Sequence, residues 1–291
     1  MNIISIYEKF PSQEDCILHL ESIRWSQGIY CVYCGSKRIS PLEAEMRHHC
    51  NDCNKSFSVT VNTIFHHTHL PLQVWFLAIA LILNAKKGLS ARQLARDLGI
   101  NKNTAWRIGM KIREAMKYDG KLLSGIVEVD ETFIGGKPRR PNNHRSKRGK
   151  PKPKNPVLGA VSRDGKVITK ALSKYTALEA SLLADFVKEC VETKNSVVIT
   201  DQFLGYNRVK EFVEHATVNH SQRYVEKNGT NTNTIESFWA IIKRGIMGQY
   251  HKVTEEYLNK YMDEFSYRYN HRKLRQEQVF DLTLENALFS S

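Results

Sequence analysis

The 291-residue sequence lacks the features of a secreted or membrane-embedded chain. Its opening, MNIISIYEKFPSQED, has neither the basic start nor the continuous apolar region of a signal peptide. The longest apolar run, from Leu70 to Ala85, is interrupted by Gln73 and is shorter than the roughly 20 residues that a membrane span needs. We therefore expect a cytoplasmic protein with no membrane partner, in which this run forms a buried helix with Pro71 near its first turn.

Acidic residues are scarce relative to basic ones. Lys and Arg number 43 against 30 Asp and Glu, giving a formal net charge of +13 that favours a polyanionic partner, DNA or RNA before an anionic membrane. Residues 137–154 contain nine Lys or Arg and no acid, and they lie between two predicted strands. We interpret this segment as an extended loop that contacts phosphates, with a solvated linker as the alternative.

Four of the six cysteines form two close pairs, and this pattern favours metal binding over disulfides. Cys31 and Cys34 form one pair, and Cys50 and Cys53 form the other after an interval of fifteen residues. Two such turns can direct four thiolates at one ion, so the spacing predicts a closed, structural Zn²⁺ site. The adjacent His48 and His49 are interpreted as surface residues, although either could replace a cysteine ligand. Cys16 and Cys190, which have no such partner, are predicted to be small buried residues.

The segment from Leu89 to Met116 has the pattern of a helix-turn-helix. Apolar residues flank Gly99, and small Ala95 lies where two helices would cross. The second helix, roughly Lys102 to Met116, would then present Asn103, Thr104 and Arg107 to a DNA groove. Two packed helices joined at a glycine also occur in proteins that never bind DNA, so this pattern alone does not decide the function.

From Gly125 onward the sequence changes to short β-rich runs, which predict a mixed α/β domain. Three strands, a helix and a fourth strand are expected up to residue 201, followed by a helix over 203–216 and a short strand over 217–221. Asp130 lies in the first strand, Asp201 ends the fourth, and Glu236 begins a later helix. In such a sheet the three carboxylates could converge and hold Mg²⁺.

Each acid also has an ordinary structural interpretation. Glu128, Asp130 and Glu131 are close in one strand, so from the pattern alone any of them could be the ligand. Asp201 could cap the next helix, and Glu236 could complete a capping box with Asn233. Lys243 favours function, because it follows Glu236 by seven residues, on the same helix face, where a phosphate would need it.

The order of these segments resembles the bacterial insertion-sequence transposases of the ISXO type. The resemblance rests on the four cysteines, the helix-turn-helix pattern and the segments VEVDETFIGGK, ITDQFLGY, TNTIESFWAIIKRG and YRYNHR, from about Cys31 to Arg272. It implies an α/β ribonuclease-H-like (integrase-like) catalytic domain with an N-terminal zinc ribbon and a helical helix-turn-helix domain. The implied limits are 1–66 for the ribbon with its N-terminal extension, 67–120 for the helix-turn-helix and 121–291 for the catalytic domain, including the basic loop and a C-terminal helix.

The resemblance also implies the chemistry. Catalytic roles fall on Asp130, Asp201, Glu236 and Lys243, with two Mg²⁺ or Mn²⁺ ions held by the three acids for phosphodiester cleavage and strand transfer. The implied partners are double-stranded DNA, as terminal inverted repeats and target, and further copies of the chain, as a homodimer or larger assembly at the bacterial nucleoid. A DNA-binding regulator and a nuclease that cuts without joining are the alternatives. The predicted DNA contacts are Asn103, Thr104, Arg107, Lys137, Arg139, Arg140, Arg145, Lys147, Arg148, Lys150, Lys243 and Arg244.

Overall fold

The computed structural model describes residues 1, 3–135, 154–218 and 231–289 of the chain. Its first elements are helices α1 (Ile3–Lys9) and α2 (Gln13–Arg24) and strands β1 (Ile39–Leu42), β2 (Arg47–Cys50) and β3 (Ser56–Phe57). Helix α2 begins at a capping box in which Ser12 and Asp15 exchange hydrogen bonds. The three strands pair antiparallel in the order β1-β2-β3. They are too short to bury a core of their own.

Three helices follow this small sheet. They are α3 (Leu72–Asn84), α4 (Ala91–Leu98) and α5 (Lys102–Glu114). Helix α3 is the predicted buried helix, with Pro71 directly before its first residue and nine of its residues buried. The predicted break between α4 and α5 is confirmed: Gly99 adopts a left-handed φ of 64° after α4, and the Asn101 side chain accepts the Asn103 N–H at the start of α5.

The second half of the chain is built on a five-stranded mixed sheet, which confirms the predicted mixed α/β domain. The elements are β4 (Leu123–Ile134), β5 (Asn155–Ser162), β6 (Val167–Ala171), α6 (Ala180–Cys190), β7 (Val191–Asp201) and β8 (Glu214–Val218). The strand order is β6-β5-β4-β7-β8. The neighbouring pairs β6–β5 and β5–β4 are antiparallel, and the pairs β4–β7 and β7–β8 are parallel. Strand β4 is therefore central, and α6 packs on one face of the sheet.

The helix predicted over 203–216 is wrong in length and type. A 3₁₀ helix spans Leu204–Glu211, and strand β8 begins at Glu214, three residues before the predicted strand. Residues 214–216 have a helix-compatible composition, but pairing with Val197–Ile199 of β7 draws them into the sheet. Tertiary pairing has overridden the local preference here.

Two further helices cover the other face of the sheet, α7 (Asn233–Gly245) and α8 (Glu255–Asn270). Side chains on α8 also occupy the open edge of strand β6. Asn270 accepts the Val167 N–H at 2.7 Å and donates to the Val167 carbonyl at 3.0 Å, while Asn259 accepts the Ala171 N–H at 2.8 Å. These contacts replace a neighbouring strand at the edge, where unpaired backbone groups would otherwise invite another chain.

We expect Asn270→Ala to destabilise the protein by about 1–3 kcal/mol, because it leaves two backbone groups of buried Val167 without their partner. Urea unfolding followed by circular dichroism measures the change. Asn195→Ala is the control: Asn195 is exposed and bonds only to nearby Glu192, so it should shift the unfolding free energy by less than about 0.5 kcal/mol. Equal midpoints for the two variants would show that α8 does not seal the edge.

The last helix, α9 (Gln276–Phe289), packs with the N-terminal elements. Its Phe280 contacts the rings of Phe10 and Phe76, and its Ala287 carbonyl accepts the Ile64 N–H. The packing thus defines one unit of Met1–Lys117 with His271–Ser291 and a second of Tyr118–Asn270. The predicted limits 1–66, 67–120 and 121–291 divide the chain into three parts, whereas the packing groups residues 1–117 together and adds residues 271–291 to them.

The structure also shows where the two remaining cysteines lie and how long and apolar the helices are. Cys16 and Cys190 are buried, at 0% and 4% exposure, as predicted. Within the part of the chain that the structure describes, no helix combines the length and the apolar character that crossing a bilayer requires.

Candidate functional site

The two cysteine pairs lie on turns of the same construction. In the first, the Gly35 N–H donates to the Cys31 carbonyl at 2.9 Å and the Cys31 N–H donates to Ser36 at 2.8 Å. In the second, Asn54 donates to Cys50 at 2.9 Å and Cys50 donates to Lys55 at 3.0 Å. Each turn has a left-handed residue directly after its second cysteine, Gly35 at 74° and Asn54 at 55°. The repeated geometry directs both pairs toward one point.

The four sulfur atoms have the spacing that a tetrahedral metal centre requires. All lie within 4.8 Å of one another, and the Cys31–Cys53 and Cys34–Cys50 Sγ distances are both 3.6 Å. Zn–S bonds of about 2.3 Å in a tetrahedron place sulfurs about 3.8 Å apart. Four thiolates of this geometry fit one closed Zn²⁺ site.

The neighbouring histidines are held by other groups. His48 Nε2 lies 2.8 Å from Glu21, and His49 Nδ1 lies 3.1 Å from Ser56. The expectation that both are surface residues is wrong for His48, which is 7% exposed and packs edge-on against Trp25. Its burial follows from the alternation of β2, whose residues face the core in turn.

A second group of acids lies on the two central strands, with Asp130 inside β4 and Asp201 at the end of β7. Strands β4 and β7 are parallel, with Glu128 opposite Ile199. Continued by two residues, this register places Asp130 beside Asp201 on the same face of the sheet. Asp201 Oδ1 accepts the Phe203 N–H at 3.0 Å, just before the 3₁₀ helix, so it shapes the turn but makes no capping bond inside that helix.

Negative charge is concentrated around Asp130. Burial raises the pKa of Asp130 to about 6, and the charges of Glu131 and Asp201 add to the shift. Burial, together with the charge of Asp201, also raises the pKa of Glu131. Carboxylates that repel one another in this way favour hard divalent cations with oxygen ligands, so Asp130 and Asp201 have the donor chemistry that suits Mg²⁺.

Glu236 lies in the first turn of α7, on the helix that covers Asp130. Trp239, one turn later, donates its indole N–H to Asp130 Oδ2 at 2.9 Å. The capping box predicted for Glu236 and Asn233 is wrong. The helix begins at Asn233, Thr232 precedes it without a side-chain capping bond, and Glu236 is one position too late for that motif. Glu236 Oε1 instead accepts a hydrogen bond from the Thr232 hydroxyl at 3.3 Å.

The three acids of β4 have different surroundings. Glu131 points to the face of the sheet opposite α7, where its carboxylate accepts the hydroxyl hydrogen of buried Tyr206 at 2.8 Å. Glu128 is fully buried against the start of α7. Asp130 alone of the three lies on the α7 face next to Asp201 with a partly exposed carboxylate.

The structure brings some of the predicted residues together and leaves others apart. Among the described residues, the four cysteines are the only group of three or more potential ligands that could hold one ion as they stand, so the structure does not gather Asp130, Asp201 and Glu236 into such a group. Lys243 and Arg244 are exposed near the end of α7. The predicted contacts Lys137, Arg139, Arg140, Arg145, Lys147, Arg148 and Lys150 lie outside the described residues.

The residues predicted to reach a DNA groove share one region of α5. Asn103 and Arg107 are exposed and one turn apart, and Thr104 is half-buried beside them. Trp106, which the sequence analysis missed, is 37% exposed on the same helix, while Ala105 and Ile108 pack inward. The exposed part of α5 is therefore polar, basic and aromatic.

Comparison with known proteins identifies the family. The model of the ISXO2-like transposase domain matches residues 122–270, and the model of a transposase zinc-ribbon domain matches residues 11–56. The chain belongs to the ISXO2-like transposases. The predicted resemblance is thus confirmed, and the zinc-ribbon match falls on the four clustered cysteines. DNA transposition is the activity of the ISXO2-like transposase family.

One curated relative and several solved structures are similar to the chain. An uncharacterized protein in transposable element ISH50 of Halobacterium salinarum is 26% identical, covering 96% of this chain and 98% of the relative. The crystal structure of the Mos1 strand transfer complex is 14% identical with a TM-score of 0.33, covering 73% of this chain and 78% of that one. The Mos1 paired-end complex with the left transposon end is 12% identical with a TM-score of 0.31, at the same coverage.

The sequence analysis of this ISXO2-like chain also missed Trp239 and Gly159. Gly159 lies opposite Asp130 in β5, and a Cβ there would come within 2.5 Å of the Trp239 ring. The glycine thus leaves the space in which the indole reaches Asp130. A signal for Trp239 existed in its spacing from Glu236, one helical turn, but Gly159 is separated from Asp130 by the basic segment and gave none.

Proposed function

We propose that the chain is the transposase of an insertion sequence, a DDE enzyme with a ribonuclease-H-like catalytic domain that frees 3′ ends of its element and joins them to target DNA. The observation that carries the proposal is the register of β4 and β7. Continued two residues beyond Glu128 and Ile199, it sets Asp201 beside Asp130, to which Trp239 of the helix bearing Glu236 donates a hydrogen bond. A mixed sheet with these acids on its two central strands suits such a domain.

Asp130, Asp201 and Glu236 are the proposed metal ligands. Two Mg²⁺ or Mn²⁺ ions bound there would activate the attacking oxygen and stabilise the leaving oxygen of a phosphodiester. The Trp239 hydrogen bond fixes the Oδ2 atom of Asp130. Lys243, two turns after Glu236 on the same helix, is placed to neutralise a phosphate of the bound strand.

DNA recognition is assigned to the N-terminal unit and to the basic segment. Helices α4 and α5 are proposed as a helix-turn-helix, with Asn103, Thr104 and Arg107 reading the terminal inverted repeats. The Zn²⁺-loaded ribbon would present its basic neighbours Arg38 and Lys55 to the backbone of the same DNA. Arg244 and the basic residues of 137–154 would contact phosphates. Because two element ends must be held together, a homodimer or larger assembly is the proposed active form.

The proposal is tested with the purified protein, DNA flanking its own gene and a target plasmid, with Mg²⁺ or with EDTA. Sequencing of junctions should reveal element ends joined to the plasmid in Mg²⁺ and none in EDTA. Cleaved ends without joined products would instead indicate a nuclease. Specific binding without either reaction would indicate a regulator and contradict the proposal.

A further inference from the structure

Glu128 is a carboxylate buried in the centre of the sheet, with 0% of the residue exposed. Its oxygens accept the Thr234 N–H at 2.8 Å, the Thr234 hydroxyl hydrogen at 2.9 Å and the Ile235 N–H at 3.0 Å. These N–H groups belong to the first turn of α7 and have no partner within the helix. Glu128 therefore takes the place of the missing local cap, from a strand more than 100 residues earlier in the chain.

The buried charge of Glu128 is balanced on two sides. Arg163 Nε donates to Glu128 Oε1 at 3.3 Å, and Arg163 Nη2 donates to the Asn231 carbonyl at 3.4 Å, just before the helix. The positive end of the α7 dipole also stabilises the negative charge of Glu128, because the carboxylate lies at the helix N terminus. A fully bonded buried carboxylate of this kind holds its helix firmly, since losing any one donor leaves a buried charge short of partners.

A second polar contact joins the same helix to the same strand. Trp239 is 3% exposed, and its indole donates to Asp130, two residues after Glu128 and on the same face of β4. The ring lies against Gly159 of the neighbouring strand, where even a methyl group would collide with it. The indole thus has one position, and Asp130 receives one defined hydrogen bond.

The two contacts match in spacing. Glu128 and Asp130 are about 6.7 Å apart along the strand, and the helix residues that meet them, Thr234 to Ile235 and then Trp239, are about 6–7.5 Å apart along the helix axis. Two anchors at matched separations fix both the shift and the rotation of α7 over β4. Glu236 lies between the anchored positions, so they set the position of its backbone on the helix.

We propose that Glu128 and Trp239 are positioning residues for the divalent-metal site, which set the helix bearing Glu236, and one oxygen of Asp130, in place for metal binding. This inference rests on the proposed function, because it gives Asp130 and Glu236 their role as ligands. Neither residue touches the metal itself. Removing an outer partner of a metal ligand typically weakens metal affinity 10- to 100-fold.

The test compares Glu128→Gln and Trp239→Phe with two matched controls. Glu264 is also fully buried, accepts the Tyr250 hydroxyl hydrogen at 2.9 Å and pairs with Arg268, so Glu264→Gln removes a similar charge. Trp75 is also 3% exposed and donates its indole to Thr68 at 2.9 Å, so Trp75→Phe removes a similar bond. Mn²⁺ binding to the zinc-loaded full chain is measured by electron paramagnetic resonance, with melting temperature and joining rate recorded in parallel.

We expect 10- to 100-fold weaker Mn²⁺ binding in Glu128→Gln and Trp239→Phe, with joining partly restored at high Mn²⁺, and wild-type affinity in both controls even where their melting temperatures fall. Mn²⁺ affinity equal to that of the controls would overturn the inference. Trp239→Phe keeps the apolar packing, so it decides the question if Glu128→Gln does not fold. Asp201→Asn is run beside them: if it joins DNA at the wild-type rate, the proposed function fails, independently of the anchors.

Discussion

Asp201→Asn is expected to lower the rate of DNA joining on the order of 10²- to 10³-fold or more, the scale seen when one group that stabilises transition-state charge is removed. The amide keeps the size of the side chain and can still accept the Phe203 N–H through its oxygen, so the turn after β7 should survive. What is lost is the negative charge beside Asp130, which the bound cations require. Gel-resolved joining of labelled element ends, at saturating Mg²⁺, measures the loss.

Three further variants test whether the loss of joining is specific to the proposed metal ligands. Asp130→Asn should match Asp201→Asn. Glu131→Gln should change the rate less than tenfold, because Glu131 faces Tyr206 on the opposite side of the sheet. Asp185→Asn, at an exposed position of α6, should join DNA at the wild-type rate. If Glu131→Gln abolished joining while Asp130→Asn did not, the ligand in β4 would be Glu131 and our assignment would be wrong.

The parts of the fold that local sequence encodes could be predicted. The apolar run before Ala85 is helix α3, because an apolar stretch of that length, interrupted only by Gln73, is stable in water only when it is buried. Gly99 and Asn101 mark the end of α4 and the start of α5, since one tolerates a left-handed conformation and the other caps. The cysteine spacing likewise predicted a cluster of four sulfurs, because each pair closes its own turn.

Contacts between distant segments could not be predicted in this way. Glu128 reads in the sequence as one of three possible ligands, and only the packing of α7 on β4 reveals that its oxygens are occupied. The same packing singles out Asp130 by elimination, because Glu131 points away. Strand alternation gave the correct faces, but it could not say which face α7 would cover. The early start of β8 has the same origin, since its partner strand decides it.

The segment YRYNHR shows how a family motif can be structural. It contributed to the resemblance, and two of its residues make contacts within the scaffold. Asn270 bonds both backbone groups of Val167, and Arg268 forms a 2.6 Å ion pair with buried Glu264. These residues hold α8 on the sheet face that α7 also covers.

The second large effect is expected at the cysteines. Cys50→Ser should reduce bound zinc from about one ion per chain to almost none and unfold the ribbon around β1 to β3. Metal binding to four thiolates stabilises small zinc modules by on the order of 10 kcal/mol, and strands of four, four and two residues offer little core to replace it. Elemental analysis gives the zinc content, and hydrogen exchange at Arg47–Cys50 reports the strand pairing.

Hydrogen exchange of the α3 amides distinguishes local opening of the ribbon from global unfolding. That helix is buried against α1, α2 and α9 by a core of its own, so its amides should stay protected when the ribbon opens. Cys16→Ala and Cys190→Ala change buried cysteines that hold no metal, and both should retain one zinc. Protection at Arg47–Cys50 that survived removal of zinc by chelator would mean that the short sheet folds without the ion. In that case the sulfur cluster would not be what stabilises the ribbon. Catalysis would not explain the cluster either, because a closed four-thiolate site leaves no open coordination position.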